Sequence, residues 1–334
     1  MRKYTNKLQL ILENFLKSNF KNKIKIILKV LGLRFVLYHF LFLILSFFFK
    51  NKSFFMRGLI FDLQKKLTNY VAIENKHKEK FLLFTNDNII SKEVFVREEF
   101  DLSKLQKTLN FLKTKKHIEN LYDVGSNLGV ICIPAVNRGL VKKAYAVEAE
   151  PRNFELLKTN VVLNKLESKI TLFNYALSDQ DGAIVEMELA ADNSGDHRIV
   201  NDTQFNYREE ENRKTLKLKS VKFDSLFNNI NSERDLIWID TQGYEPKILN
   251  GAHKLIESKA PIVVEFWPYG LKRNNMWNEM LKILEKFDYF VDLSSKNIKV
   301  EKISRKSLTD LAGGWQKEEK NKHSLFTDLI LLRE

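Results

Sequence analysis

The chain has 334 residues, 44% of them hydrophobic, which is enough to bury a full core as one large domain or two smaller ones. Its single cysteine, Cys132, excludes an intrachain disulfide and a cysteine-based zinc cluster, and its six histidines include no HExxH, so no metal site is expected. The formal net charge of +13 resides almost wholly in residues 1–66, where fourteen Lys and Arg face two acids; the rest, with 41 basic and 40 acidic residues, is nearly neutral.

Residues 1–66 form a basic, apolar extension. Within it LGLRFVLYHFLFLILSFFF (31–49) would reach about 28 Å as a helix and its cleaner part, 36–49, about 21 Å, short of a confident membrane span. Basic residues flank the run and no small-residue cleavage pattern follows it. These features predict a helix associated with the inner, anionic face of a membrane in a cytoplasmic protein, against the alternative of an apolar helix buried on the rest of the chain.

Residues 67–118 read as a connecting region. KFLLF (80–84) and EVFVREEF (93–100) have strand character, and a helix with Leu102, Leu105, Leu109 and Leu112 on one face opens near Asp101.

From 119 to 334 short apolar runs alternate with helical stretches. NLYDV, KAYAVE, KITLFNYAL, DLIWID and PIVVEF are interleaved with segments such as FELLKTNVVLNK and NEMLKILEKF. This rhythm predicts an α/β fold, doubly wound, with a mostly parallel sheet and helices on both faces. AIVEMELA and TLKLKSVKF interrupt the rhythm as two strands joined by a polar segment long enough to cover a site, and FTDLILL (326–332) reads as a late antiparallel strand.

Four of the strands finish in acid: Asp123, Glu148, Asp240 and Glu265. One such acid is commonly a helix cap, but four beyond the carboxyl ends of a parallel sheet describe a cleft for a cationic, hydroxyl-bearing ligand. Between the first and second strands lies DVGSNLG. Gly125 allows a sharp turn off the strand, and Gly129 allows close packing of the helix expected to begin there. A nicotinamide dinucleotide would require glycine where Asn127 stands, and Asp123 would repel its pyrophosphate. S-adenosylmethionine, which has no phosphate and carries a sulfonium, an ammonium and a ribose diol, fits better. Glu148, nineteen residues after Gly129, is the preferred acceptor for the ribose diol; its competitor Glu150 precedes Pro151 and would serve as a helix cap.

The series DVGSNLG, AVEAEPRNFELLKTN, NYALSDQDG, LIWIDTQGYEPKILNGA and PIVVEF, spread over residues 119–332, resembles the FkbM family of S-adenosylmethionine-dependent methyltransferases. The resemblance implies a class I methyltransferase (Rossmann-like) core with a seven-stranded sheet. It also implies methyl transfer to a hydroxyl, most often on a sugar. Its glycine motif falls on Asp123, Gly125, Ser126, Asn127 and Gly129, its ribose acid on Glu148, and its acid after the fourth strand on Asp240, with Gly243 and Glu245 beside it. The chain departs from the family at Trp238 and Gln242, where Lys and Glu are frequent. Pro134 is expected to kink the first helix.

Methyl transfer needs the nucleophile aligned and its proton removed. Asp240 is the candidate base, with Glu245 and His197 as alternatives, although a loop histidine such as His197 is expected to be solvent-exposed. Asp179 is a candidate contact for the adenine amino group. The acceptor expected is a glycan or glycolipid hydroxyl. A nucleic-acid partner is not expected, because the body is neutral and the turn after the fourth strand reads Asp-Thr-Gln-Gly; the alternatives are a methyltransferase acting on a lipid, protein or nucleic acid, or a membrane-tethered non-catalytic binding module of the same fold.

Overall fold

The apolar runs of the sequence become strands in the computed structural model, which describes residues 54–200, 213–295, 298–316 and 326–334. In chain order these are β1 (Tyr70–Glu74), β2 (Lys80–Phe84), β3 (Asn120–Val124), β4 (Lys143–Val147), β5 (Ile170–Phe173), β6 (Ala176–Ser178), β7 (Ile184–Leu189), β8 (Arg198–Val200), β9 (Lys214–Lys222), β10 (Asp235–Ile239), β11 (Ile262–Phe266), β12 (Tyr289–Asp292), β13 (Val300–Lys302) and β14 (Thr327–Leu332). The apolar run 31–49 lies outside the described residues. Among the described residues no helix is long and apolar enough to cross a membrane. The described residues from 61 onward form one compact unit.

The central sheet runs β13-β12-β14-β11-β10-β3-β4-β5. Strands β5, β4, β3, β10 and β11 are mutually parallel, and DLIWI and IVVEF are buried along their whole length, as strands covered on both faces must be. The late segment FTDLILL is an internal antiparallel strand, β14, seated between β11 and β12. Seven strands make the expected sheet, and the short β13 extends its edge. From β3 the chain steps outward to β4 and β5, then returns to place β10 and β11 on the other side. The crevice at this reversal, outside the ends of β3 and β10, is where ligands bind in open α/β sheets.

The two strand-like segments of the interruption pair antiparallel as β7 and β9 and form a second, four-stranded sheet, β6-β9-β7-β8. KITLFNYAL is divided: β5 stays in the main sheet and β6 joins the second one.

Three local expectations are corrected. EVFVREEF is not a strand, because most of it lies in the helix Ile90–Arg97. The Asp87 carboxylate accepts the N–H groups of Ile89, Ile90 and Ser91 at 3.0–3.2 Å, and Ile90, Val94 and Phe95 share a buried face. The helix after Gly129 begins only at Cys132, residues 127–131 being turn. Pro134 therefore sits in a first turn, where its missing N–H breaks no helical bond, and no kink is required. The helix Leu102–Leu112 does open directly after Asp101, whose carboxylate takes Lys104 at 2.8 Å.

The β1–β2 hairpin is held on the helix Pro151–Leu163 by two asparagines. Asn160 accepts the Leu82 N–H at 2.6 Å and donates to the Leu82 carbonyl at 3.2 Å; Asn164 does the same for Lys80 at 2.9 and 2.7 Å. Two side-chain amides thus replace a neighbouring strand. Asn160 is fully buried and also donates to Leu128 O, behind the glycine turn. Asn160→Ala should lower stability in urea unfolding by about 2–4 kcal/mol, since buried peptide groups lose their partners. A loss below about 0.5 kcal/mol would show that the amides are not what hold the hairpin.

Candidate functional site

A cavity of about 380 Å³ opens at the strand reversal, within the size range of small-ligand sites. All four strand-end acids, Asp123, Glu148, Asp240 and Glu265, line it, together with Gly125, Ser126, Asn127 and His197. Gly129, Asp179 and Glu245 are not in its wall.

Close backbone contact builds the crevice. Gly125 has φ +87°, and a Cβ there would stand 1.9 Å from the Asp240 carbonyl oxygen. Only glycine lets the first turn lie against the end of β10. The turn is fastened to β4 by the N–H groups of Gly125 and Ser126, which both donate to Val147 O at 2.9 and 3.0 Å. Gly129 has φ +83° and faces Ile133 and Leu157, so it serves helix packing.

Glu148 accepts the N–H of Asn127 and the N–H of Glu150, each at 2.8 Å. Burial raises its carboxyl to about 7. Glu150 turns away and caps the next helix by accepting the Asn153 N–H at 2.7 Å, as its position before Pro151 suggests. Asn127 (φ +49°) spends its side chain on the cover: Nδ2 donates to Ser194 O at 2.8 Å, and Oδ1 accepts the Leu128 N–H at 2.9 Å.

Asp123 is 2% exposed, and its Oδ2 has no hydrogen-bond partner among the described residues. Burial pushes this carboxyl up to about 7. Asn153 likewise lines the cavity with an unpartnered Oδ1. Buried oxygens left in this state cost free energy unless a ligand satisfies them.

At the other end of the cavity, Asp240 Oδ1 accepts from Gln242 Nε2 at 2.9 Å, and burial, followed by the neighbouring Asp328, raises its carboxyl to about 6. Trp238 and Trp267 form walls here, with the Arg198 guanidinium 4.7 Å from the Trp267 ring centroid. Asp196 holds Arg198 and Arg213, each at 2.5 Å.

Three candidates stand elsewhere than expected or in a different state. Glu245 is fully buried outside the cavity, where Oε1 accepts the Thr241 N–H at 2.9 Å, the Thr241 hydroxyl at 3.0 Å and the Gly243 N–H at 3.2 Å. It pins the turn after β10 and does not line the cavity. Asp179 pairs with Lys247 at 2.9 Å, off the cavity. His197 is half-buried in the cavity wall rather than solvent-exposed, and its Nδ1 accepts the Ala190 N–H at 3.0 Å. That bond occupies the lone pair a base would use, and burial lowers its affinity for a proton.

Asn153, Arg198, Trp267 and Gln242 were not marked as site residues by the sequence. Asn153 lay inside a segment read only as a helix. The signal that could have found it is a polar residue three positions after a capping acid, in the turn that faces the strand ends.

Residues 123–291, just over half of the chain, match the family described as the methyltransferase FkbM domain. Among curated proteins, a tRNA (guanine(37)-N(1))-methyltransferase of Xenopus tropicalis is 28% identical over 119 residues, covering 32% of this chain and 23% of that protein. The chain thus spans about a quarter of the length of the curated relative it matches. Among solved structures, methyltransferase FkbM from Methylobacillus flagellatus KT aligns over 64% of this chain and 43% of its own, with a TM-score of 0.37 and 13% identity. The M. jannaschii tRNA m1G37 methyltransferase aligns over 80% of this chain and 58% of its own, with a TM-score of 0.36 and 14% identity. The expectation of a glycan partner and no nucleic acid is overturned by the curated relative, whose name places its methyl group on a tRNA guanine. The match over residues 123–291 makes this chain a member of the FkbM family of S-adenosylmethionine-dependent methyltransferases.

Proposed function

We propose that this chain transfers a methyl group from S-adenosylmethionine to a nucleophile whose proton is taken by Asp240. The observation that carries the reading is the rim itself: Asp123, Glu148, Asp240 and Glu265 around one cavity, with Asp123 Oδ2 and Asn153 Oδ1 unpartnered. Those two oxygens would accept N–H or O–H donors of the ligand, and Glu148, already tied to two backbone N–H groups, keeps lone pairs for a ribose diol. The acids favour a cationic ligand and disfavour a pyrophosphate. Bound there, S-adenosylmethionine supplies an electrophilic methyl group on a positively charged sulfur. The chain's own residues align the acceptor, exclude water and remove one proton.

Asp240 suits that last task. It lines the cavity, is half-buried, and its carboxyl near 6 is mostly ionised at neutral pH while still a useful base. The finer reading, transfer to a hydroxyl oxygen, depends on this base, because an unactivated hydroxyl has to be deprotonated as it attacks.

RNA is the acceptor class that the curated relative favours. Either a ribose hydroxyl or a ring nitrogen would lose its proton to the same carboxylate. Incubation of the full chain with tritiated S-adenosylmethionine and total tRNA tests this: ribonuclease-sensitive label supports it, and label found only in ribonuclease-resistant material overturns it.

Attachment to an anionic membrane surface through residues 31–49 belongs to the same proposal and rests on their composition. Flotation of the full chain with phosphatidylserine vesicles, lost on deletion of residues 1–53, is the expected result; a full chain left in the dense fraction overturns it.

Asp123→Asn should weaken binding of S-adenosylmethionine about tenfold or more in calorimetry, whereas Asp179→Asn should leave it within about twofold. Asp240→Asn should lower turnover about 10²- to 10³-fold. In the unsubstituted chain turnover should fall as the pH drops through about 6, since protonation removes the base. Unchanged turnover in Asp240→Asn assigns that carboxylate a purely structural role.

A further inference from the structure

Between the two acids at the β10–β11 end of the cavity stands one neutral amide. Gln242, on a backbone with φ +59°, donates from Nε2 to Asp240 Oδ1 at 2.9 Å and to Glu265 Oε1 and Oε2 at 3.1 and 3.2 Å. Its turn is fixed from both sides. The adjoining N–H groups of Thr241 and Gly243 are held by Glu245, and a Cβ at Gly243 (φ +92°) would stand 2.7 Å from the Gly270 carbonyl carbon. The turn fixes the backbone from which the Gln242 side chain reaches both acids.

Charges facing the pair come from every neighbouring element. Asp123 on β3, Glu245 after the turn, Asp328 on β14 and Asp101 before the helix Leu102–Leu112 are acidic, and Lys104 is the cation whose charge reaches both. Lys104 is itself held 2.8 Å from Asp101 and 2.8 Å from Asp328. Gln242 brings hydrogen-bond donors but no charge, so two bare carboxylates on one amide would repel each other in a buried place. One proton resolves the conflict, and it belongs on the more buried group: Glu265 is 2% exposed, whereas Asp240 is half-buried.

We propose that Gln242 is a positioning residue for proton removal: its amide clamps Asp240 to a proton-bearing Glu265, leaving Asp240 as the ionised member with its second oxygen free to take the acceptor's proton. This rests on the methyl-transfer reading above. The proton that leaves the acceptor goes to Asp240 and from there to water, while Glu265 keeps its own throughout. A carboxylate at position 242 could donate to neither acid.

The test is a pH titration of the full chain carrying ¹³C-carboxyl aspartate and glutamate, followed by NMR and assigned with Asp240→Asn and Glu265→Gln. Glu265 should keep its proton to a higher pH than Asp240, which titrates near 6. In Gln242→Leu the Asp240 midpoint should rise by about one pH unit, because a hydrogen bond that favours the ionised form is lost. The acid limb of the turnover profile should rise with it. Glu265 ionising before Asp240 or together with it in the unsubstituted chain overturns the clamp even if Gln242→Leu does not fold. An Asp240 midpoint unmoved in a folded Gln242→Leu overturns it as well. Calorimetry with S-adenosylmethionine decides the donor reading separately, so a chain that binds the donor but ionises Glu265 before Asp240 or together with it refutes this proposal alone.

Discussion

Four carboxyl groups share one rim, and among the described residues none of the four is in an ion pair. Burying them is costly, and burial raises each one. The surrounding structure reduces that cost unevenly. Glu148 has two backbone N–H groups, Asp240 and Glu265 share one amide, and Asp123 has an oxygen with nothing to accept. A site built this way is unfinished without a cation or donors from a ligand. A raised carboxyl favours the folded state at low pH and disfavours it as pH rises through 6 to 7, so the ligand-free fold gives up stability near neutrality to keep the rim.

The rim exists because backbones approach closely at two glycines. Gly125 lets the first turn touch the Asp240 carbonyl, so Asp240, one residue past β10 and two beyond the Trp238 that pairs with Asp123, opens into the same crevice. Gly243 lets the following turn fold onto Gly270, which brings Gln242 back over Glu265. Between them these contacts decide which acids face inward. Glu245, two residues beyond Gly243, is carried out of the cavity by the same turn and stabilises it from behind.

Much of this was legible in the chain. Buried parallel strands read as continuous apolar runs, so an acid that ends one stands out, and all four such acids line the cavity. The strand Thr327–Leu332 was legible for the same reason. The helix Ile90–Arg97 was not, because the alternation of Val94 and Val96 outweighed a cap, Asp87, lying three residues before its first turn. Asp179 was misplaced because its partner Lys247 is 68 residues away, a contact no local pattern reveals. His197 illustrates the converse: a loop histidine in a polar stretch is half-buried because the segment around it folds over the cavity, with Ser194 Oγ donating to Asp87 at 2.6 Å and Asn88 N–H donating to Asp192 O at 2.8 Å. The acceptor left no readable mark in composition.

This rim is expected to receive a positively charged, phosphate-free nucleoside. Calorimetry of the full chain at pH 8 with S-adenosylmethionine and, separately, with NAD tests it most directly. Saturable binding of the sulfonium nucleoside and no detectable binding of the dinucleotide is the predicted result. Binding of NAD, or no binding of S-adenosylmethionine at millimolar concentration, would contradict it.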